Sequence, residues 1–102
     1  MKCLLVSAFI LSLVPFANAQ SLSDALCQSH KSIMEQTILS WRQSGQIPIG
    51  AAEDVWNSES DVRTRVFLKQ VTREIYKNPQ AGQQYLKGGK FLSDCVRTHR
   101  GY

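Results

Sequence analysis

The chain has 102 residues and is moderately basic, with 12 Lys and Arg residues against 8 Asp and Glu residues and a formal net charge of +4. A chain of this length forms one small domain, which buries only about two-thirds of the surface of its unfolded form. No internal repeat, low-complexity linker or sustained strand alternation follows the first 19 residues. This excludes a repeat array and argues against an all-β domain.

The first 19 residues have the order of a cleaved secretory signal. Lys2 precedes a stretch at 3–14 that is apolar apart from two serines, and a proline and the sequence Ala-Asn-Ala at 17–19 follow. The apolar stretch is shorter than the roughly 20 residues of a membrane-spanning helix, so we expect cleavage rather than a permanent span. The expected division is a signal peptide at 1–19 and a small helical domain at 20–102.

Apolar residues at helical spacing predict a first helix at the start of this domain. It begins with the capping box Ser21-x-x-Asp24 and ends near Gly45. A glycine at that point can adopt the left-handed conformation that closes a helix, and Pro48 prevents the helix from continuing.

A second helical segment is predicted from Ala51 to about Asn78. Its apolar pattern shifts phase partway, which indicates either one bent helix or two abutting helices. The sequence Ser58-x-x-Asp61 favours two helices.

A final helical stretch is predicted after Pro79. Proline disfavours helix in the residue before it but suits the first position of a new helix, here capped by Asn78. Gly82 and Gly88-Gly89 each cost about 1 kcal/mol relative to alanine in a helix interior, so we expect a hinge or break there.

The two cysteines of the 20–102 domain are predicted to form a disulfide. Cys27 lies near the start of the first helix and Cys95 near the end of the last, which antiparallel helices bring together. In the chain-entropy model, closing this loop is worth about 4 kcal/mol. The expected fold class is all-α, an antiparallel bundle of three to four helices closed by one disulfide.

The same cysteines form an alternative metal site with the two histidines. Cys27 precedes His30 by three residues and Cys95 precedes His99 by four, so each histidine shares a helix face with its cysteine. Two thiolates and two imidazoles are a tetrahedral shell for a structural zinc ion. In an exported protein oxidation competes for the sulfurs, so we expect the disulfide and no cofactor.

The remaining motifs do not indicate catalysis. The chain has no Gly-x-Ser-x-Gly, no His-Glu-x-x-His and no phosphate-binding glycine loop. The acidic pairs Glu53-Asp54 and Glu59 with Asp61 are more typical of solvated charges in a helical segment than of an acid–base pair. The sequence therefore predicts a non-enzyme.

The basic residues concentrate in the second half, where nine follow Val62 against only two acids. This pattern predicts a basic face for an acidic partner, although an acidic first half packed beside a basic second half is the plainer explanation. The candidate partner-binding residues are Trp56, Lys87, Lys90, Arg97 and Arg100. For Trp56 the alternative is a place in the core. The expected partner is another envelope protein or an anionic surface, not nucleic acid.

Four features carry a resemblance: an early cysteine, the turn Arg42-Gln43-Ser44-Gly45, the break Tyr76-Lys77-Asn78-Pro79 and a late cysteine. Together they resemble a loose group of small exported helical proteins of Gram-negative bacteria and their prophages. The resemblance implies a periplasmic or secreted location but no activity.

The expected function is therefore a non-enzymatic interaction protein, an inhibitor or regulator of an envelope component. The alternatives are a periplasmic stress chaperone, a zinc-stabilised structural module and, by resemblance alone, a phage-related lysis or exclusion factor.

Overall fold

The computed structural model describes residues 22–100, without the side chain of Arg100. The predicted signal peptide and the predicted Ser21 cap lie outside these residues. Within them every regular element is a helix, which confirms the all-α fold class.

Five helices follow one another within residues 22–100. The first, α1, is continuous through the stretches Leu22–Ile33, Met34–Ile38 and Leu39–Ser44, of which the middle one is a π-helix. The others are α2 at Ile49–Asp54, extended by the 3₁₀ turn Val55–Ser58, then α3 at Val62–Lys77, α4 at Pro79–Lys87 and α5 at Lys90–Arg100. The described part has more than four helices because the second predicted segment forms two helices and the last is divided at Gly88-Gly89.

Two predicted helix boundaries are confirmed, together with the residues predicted to form them. Gly45 closes α1 in the left-handed conformation, with φ of 72°, and its N–H donates to the carbonyl of Trp41. Asn78 caps α4, because its Oδ1 accepts the N–H of Ala81 at 3.1 Å and Pro79 occupies the first helical position. Both ends are set by residues within one turn of the boundary.

The start of α3 uses a different cap from the predicted one. Asp61, not Ser58, is the capping residue, and its Oδ2 accepts both the N–H of Thr64 at 2.9 Å and the Thr64 hydroxyl at 2.6 Å. These hydrogen bonds lower the pKa of Asp61. Ser58 instead ends the 3₁₀ turn after α2, so the chain uses residues 59–61 to change direction.

Gly82 does not break its helix, contrary to the prediction. α4 continues through it because the glycine lies against α3: a Cβ at this position would be 2.7 Å from Cγ1 of Ile75. The break occurs only at Gly88-Gly89, where Gly89 has φ of 80°. The absent side chain at Gly82 thus lets two helices approach closely.

The core lies where these helices meet, and a disulfide closes one end of it. Its largest fully buried side chains are Phe91, Met34, Ile38, Leu68, Ile75 and Leu86. The Sγ atoms of Cys27 and Cys95 are 2.09 Å apart and the Cα atoms 5.9 Å apart, which confirms the predicted pairing of α1 with α5. Among residues 22–100, no helix has the length and apolar character needed to cross a membrane.

Candidate functional site

The cysteines and one of the two histidines converge around the disulfide. The Sγ atoms of Cys27 and Cys95 and a ring nitrogen of His30 all lie within 4.8 Å of one another. His99 is not in this group, and its Nδ1 lies 2.9 Å from Oγ of Ser23. The structure therefore brings together three of the four predicted zinc ligands.

His30 is held in a buried setting that fixes the roles of its two nitrogens. The residue is only 8% exposed, and its Nε2 lies 3.3 Å from Oε1 of Glu59. Its Nδ1 is buried and has no hydrogen-bond partner within the described residues. Because the carboxylate can only accept, the contact places the imidazole hydrogen on Nε2 and leaves a lone pair on Nδ1.

The charge state of His30 follows from the same setting. Burial is the main cause that lowers the pKa of His30, and the positive charge of His99 acts in the same direction. The Glu59 carboxylate opposes both, but does not outweigh them. The imidazole is therefore neutral at neutral pH, the form that can accept through Nδ1.

Glu59 is the residue of this site that sequence reasoning missed. It was expected to be a solvated charge, but its side chain is only 15% exposed and its second oxygen accepts the N–H of Asp61 at 3.0 Å. This contact could not be predicted from sequence spacing, because Glu59 lies next to His30 only once the 59–61 link has folded.

Trp56 is a core residue, so its predicted role as a surface anchor is wrong. It is 3% exposed, its Nε1 donates to Oγ1 of Thr72 at 2.9 Å, and its ring meets the edge of His30 at a centroid distance of 5.5 Å. A side chain buried on all sides contributes to folding and offers no area to a partner.

The predicted partner-binding cations of α4 and α5 differ in whether they already form ion pairs within the protein. Asp94 accepts from Lys90 at 3.1 Å, from Arg97 at 2.5 Å and from the Tyr85 hydroxyl at 2.7 Å. Burial acts to raise the pKa of Asp94, but these three hydrogen bonds outweigh it and hold the pKa below its usual value. Lys87 is exposed, and the side chain of Arg100 lies outside the described residues. Asp94 thus pairs with two of the predicted cations, Lys90 and Arg97.

A second cationic surface, not predicted from the sequence, lies where α1 and α3 end. It is a cleft of about 490 Å³ that we call the cationic cleft, and its lining includes Arg42, Arg73 and Lys77 together with Ile47, Pro48, Ile49 and Tyr76. Three positive charges therefore border a mostly apolar floor.

Two sequence motifs meet to build this cleft. Nε of Arg42, in the last turn of α1, donates to the carbonyl oxygen of Tyr76 at 2.7 Å, and the Tyr76 hydroxyl donates to the carbonyl of Ile47 at 2.9 Å. The sequences Arg42-Gln43-Ser44-Gly45 and Tyr76-Lys77-Asn78-Pro79 are the turn and the break on which the resemblance partly rests. Their joint appearance was the available signal, although nothing in their spacing showed that they are in contact.

Comparisons of this chain with protein-family models, with curated proteins and with solved structures give no significant match.

Proposed function

We propose that the protein is an exported, non-enzymatic interaction protein that binds an acidic envelope protein through the cationic cleft. The observation that supports this most directly is the pairing of three cations with an apolar floor in one concave surface. Cations attract and orient an acidic segment, whereas the floor supplies apolar area that becomes buried on binding.

The ion pairs around the cleft leave its cations available. Arg73 pairs with Glu53 at 3.2 Å and Lys77 with Glu74 at 3.5 Å, and both cations remain about half or more exposed, at 49% and 73%. Exposed pairs of this kind are each worth under about 1 kcal/mol. Carboxylates of a partner can therefore replace them at small cost.

Arg42 gives the cleft a fixed element. Its Nε is held by a main-chain carbonyl, so the guanidinium keeps its charge and its remaining N–H groups while losing conformational freedom before any partner arrives. A pre-ordered arginine loses less entropy on binding a carboxylate than a freely rotating lysine does. This favours a defined acidic contact over diffuse attraction to a charged surface.

Export is supported by the disulfide. Disulfides form and persist in oxidising compartments and are rare in the cytosol, and Cys27 and Cys95 have the distances of a formed bond. Together with the expected signal peptide, this favours a periplasmic or secreted location.

Two matched charge reversals test the cleft. Arg73→Glu with Lys77→Glu alters the cleft, and Lys87→Glu with Lys90→Glu makes the same change in charge at the other end of α4, about 13 Å away along a nine-residue helix. The oxidised protein is immobilised, and partner capture from an envelope extract is quantified at low and moderate salt.

We expect the cleft variant to lose at least about tenfold in capture and the α4–α5 variant to keep most of it. Equal capture by the cleft variant and the unmodified protein would contradict the proposal. Loss confined to the other variant would transfer the role to the basic patch around Lys87 and Lys90.

A further inference from the structure

The disulfide region contains the parts of a metal site once its sulfur–sulfur bond is broken. The two Sγ atoms and a ring nitrogen of His30 already lie within 4.8 Å of one another. The Cα atoms of Cys27 and Cys95 are 5.9 Å apart, and zinc holds each sulfur at about 2.3 Å, so both side chains can reach one ion between them.

His30 has the second contact that metal-binding histidines usually have. A ligating imidazole typically donates its other N–H to a carboxylate, which fixes the tautomer and the ring orientation. Here Nε2 faces Oε1 of Glu59 at 3.3 Å, and Oε2 of Glu59 is itself held by the N–H of Asp61.

The free nitrogen of His30 is an independent indication of a missing ligand. Nδ1 is buried with no partner among residues 22–100, in a side chain that is more than nine-tenths buried. A buried acceptor without a hydrogen bond has lost its hydration with nothing in return, and polar atoms in this position usually have a partner. In the oxidised protein the disulfide sulfurs cannot donate to it.

Charge balance selects a divalent cation that favours sulfur and nitrogen. Two thiolates and one neutral imidazole carry two negative charges, which a divalent ion cancels, so the ion and these three ligands are neutral together. Thiolate and imidazole ligands together favour zinc over magnesium or calcium, which prefer oxygen.

We propose that the reduced chain binds one zinc ion through Sγ of Cys27, Sγ of Cys95 and Nδ1 of His30. The zinc ion and the disulfide are then two alternative links between α1 and α5. A water molecule takes the fourth position, since His99 is not in the group that the structure brings together.

The conversion of the disulfide form into the zinc form balances in atoms and electrons. A dithiol reductant supplies two electrons and two protons, which turn the disulfide into two thiols while the reductant becomes a disulfide. Zinc then displaces both thiol protons as the two thiolates bind. A newly synthesised chain has reduced thiols already, so there zinc competes directly with oxidation.

Cobalt(II) serves as the spectroscopic probe of this site. The full chain is reduced with a phosphine under anaerobic conditions and titrated with cobalt, and thiolate-to-cobalt charge-transfer absorption and far-UV circular dichroism are recorded. We expect one equivalent to bind with thiolate bands, stoichiometric zinc to displace it, and the reduced chain to gain thermal stability on binding. The oxidised chain should show no thiolate bands.

Histidine variants locate the nitrogen ligand. His30→Ala is expected to weaken cobalt binding by at least about 100-fold, and Glu59→Gln by about 10–100-fold. His99→Ala is the matched control, because it removes an imidazole from the same region but not from the ligand group, and its affinity should stay within about twofold of the unmodified chain.

Two results would overturn the proposal. One is the absence of thiolate–cobalt bands in the reduced chain, whether or not that chain stays folded without the metal. The other is equal affinity in His30→Ala and His99→Ala.

Discussion

His30 is a buried side chain whose protonation makes the stability of the folded protein depend on pH. Burial lowers its pKa from the ordinary value of 6.5, so the unfolded chain takes up a proton at a higher pH than the folded protein does. Stability is therefore highest above about pH 6.5 and falls as the pH drops from there through the folded pKa. The pKa values of Asp61 and Asp94 are also lowered in the folded protein, from an ordinary value of 3.8. The stability that these two carboxylates contribute is therefore lost only in a separate, more acidic range, as the pH falls below 3.8.

Replacement of His30 tests this assignment. In His30→Gln, the fall in unfolding free energy between pH 7 and about pH 5 should flatten, measured by urea denaturation of the oxidised protein at several pH values. His99→Gln should flatten the slope only in part, because it removes a charge that helps to lower the pKa of His30 but leaves the burial of His30 unchanged. An unchanged slope in His30→Gln would show that another group titrates.

Thr72 is the second residue with a measurable role in the core. Its hydroxyl accepts from Nε1 of Trp56 and donates to the carbonyl of Leu68, both at 2.9 Å. Thr72→Val keeps the shape but leaves the buried indole N–H without an acceptor, so we expect a loss of about 1–3 kcal/mol in unfolding free energy.

Thr37→Val is the control for that measurement. The substitution is the same, but no side-chain hydrogen bond of Thr37 is found in the described part of the chain, so its effect should stay within about 0.5 kcal/mol. Equal losses in the two variants would mean that the Trp56 hydrogen bond does not explain the cost.

At the scale of the elements, the contact between α3 and α4 depends on an absent side chain. A glycine inside a helix normally costs about 1 kcal/mol relative to alanine, so Gly82→Ala would stabilise an isolated α4. In the folded protein the added methyl group would approach Ile75 to 2.7 Å. We expect overpacking to prevail, with a net loss of about 1–3 kcal/mol by denaturant unfolding.

Gly50 provides the matched control in α2. No atom lies within 4 Å of a Cβ placed there, so Gly50→Ala should be neutral or stabilising by up to about 1 kcal/mol. Stabilisation by Gly82→Ala of the same size would contradict the close approach of α4 to α3.

Local chemistry explains why some elements could be predicted from the sequence. Gly45 and the pair Asn78-Pro79 act within one helical turn, so their effect on helix ends is visible in the chain itself. The two cysteines that follow residue 19 allow only one pairing with each other, and the helix order allows it geometrically.

The contacts that sequence analysis missed join residues distant along the chain. His30 meets Glu59, and Arg42 meets the carbonyl of Tyr76, only after the helices have packed. The burial of Trp56 depends on Thr72 in the same way. Amphipathic spacing identifies a buried face but not the partner of each polar atom on it.

For the whole molecule, the disulfide is the largest single constraint. It joins residues 68 apart in the sequence, and the chain-entropy model gives such a link about 4 kcal/mol. Small domains have a total stability of roughly 5–15 kcal/mol, so Cys27→Ala with Cys95→Ala should lower the unfolding free energy by about 4 kcal/mol. Reductant should destabilise the unmodified protein and leave this variant unaffected.

An intact mass measurement tests most directly whether the chain is exported, as proposed, and carries the covalent link between α1 and α5. The protein is recovered from the envelope of the cells that make it, denatured in the presence of an alkylating reagent without reductant, and weighed. We expect the mass of residues 20–102 less two hydrogen atoms, with no alkylation. A mass that includes residues 1–19, or the addition of two alkyl groups, would contradict the account.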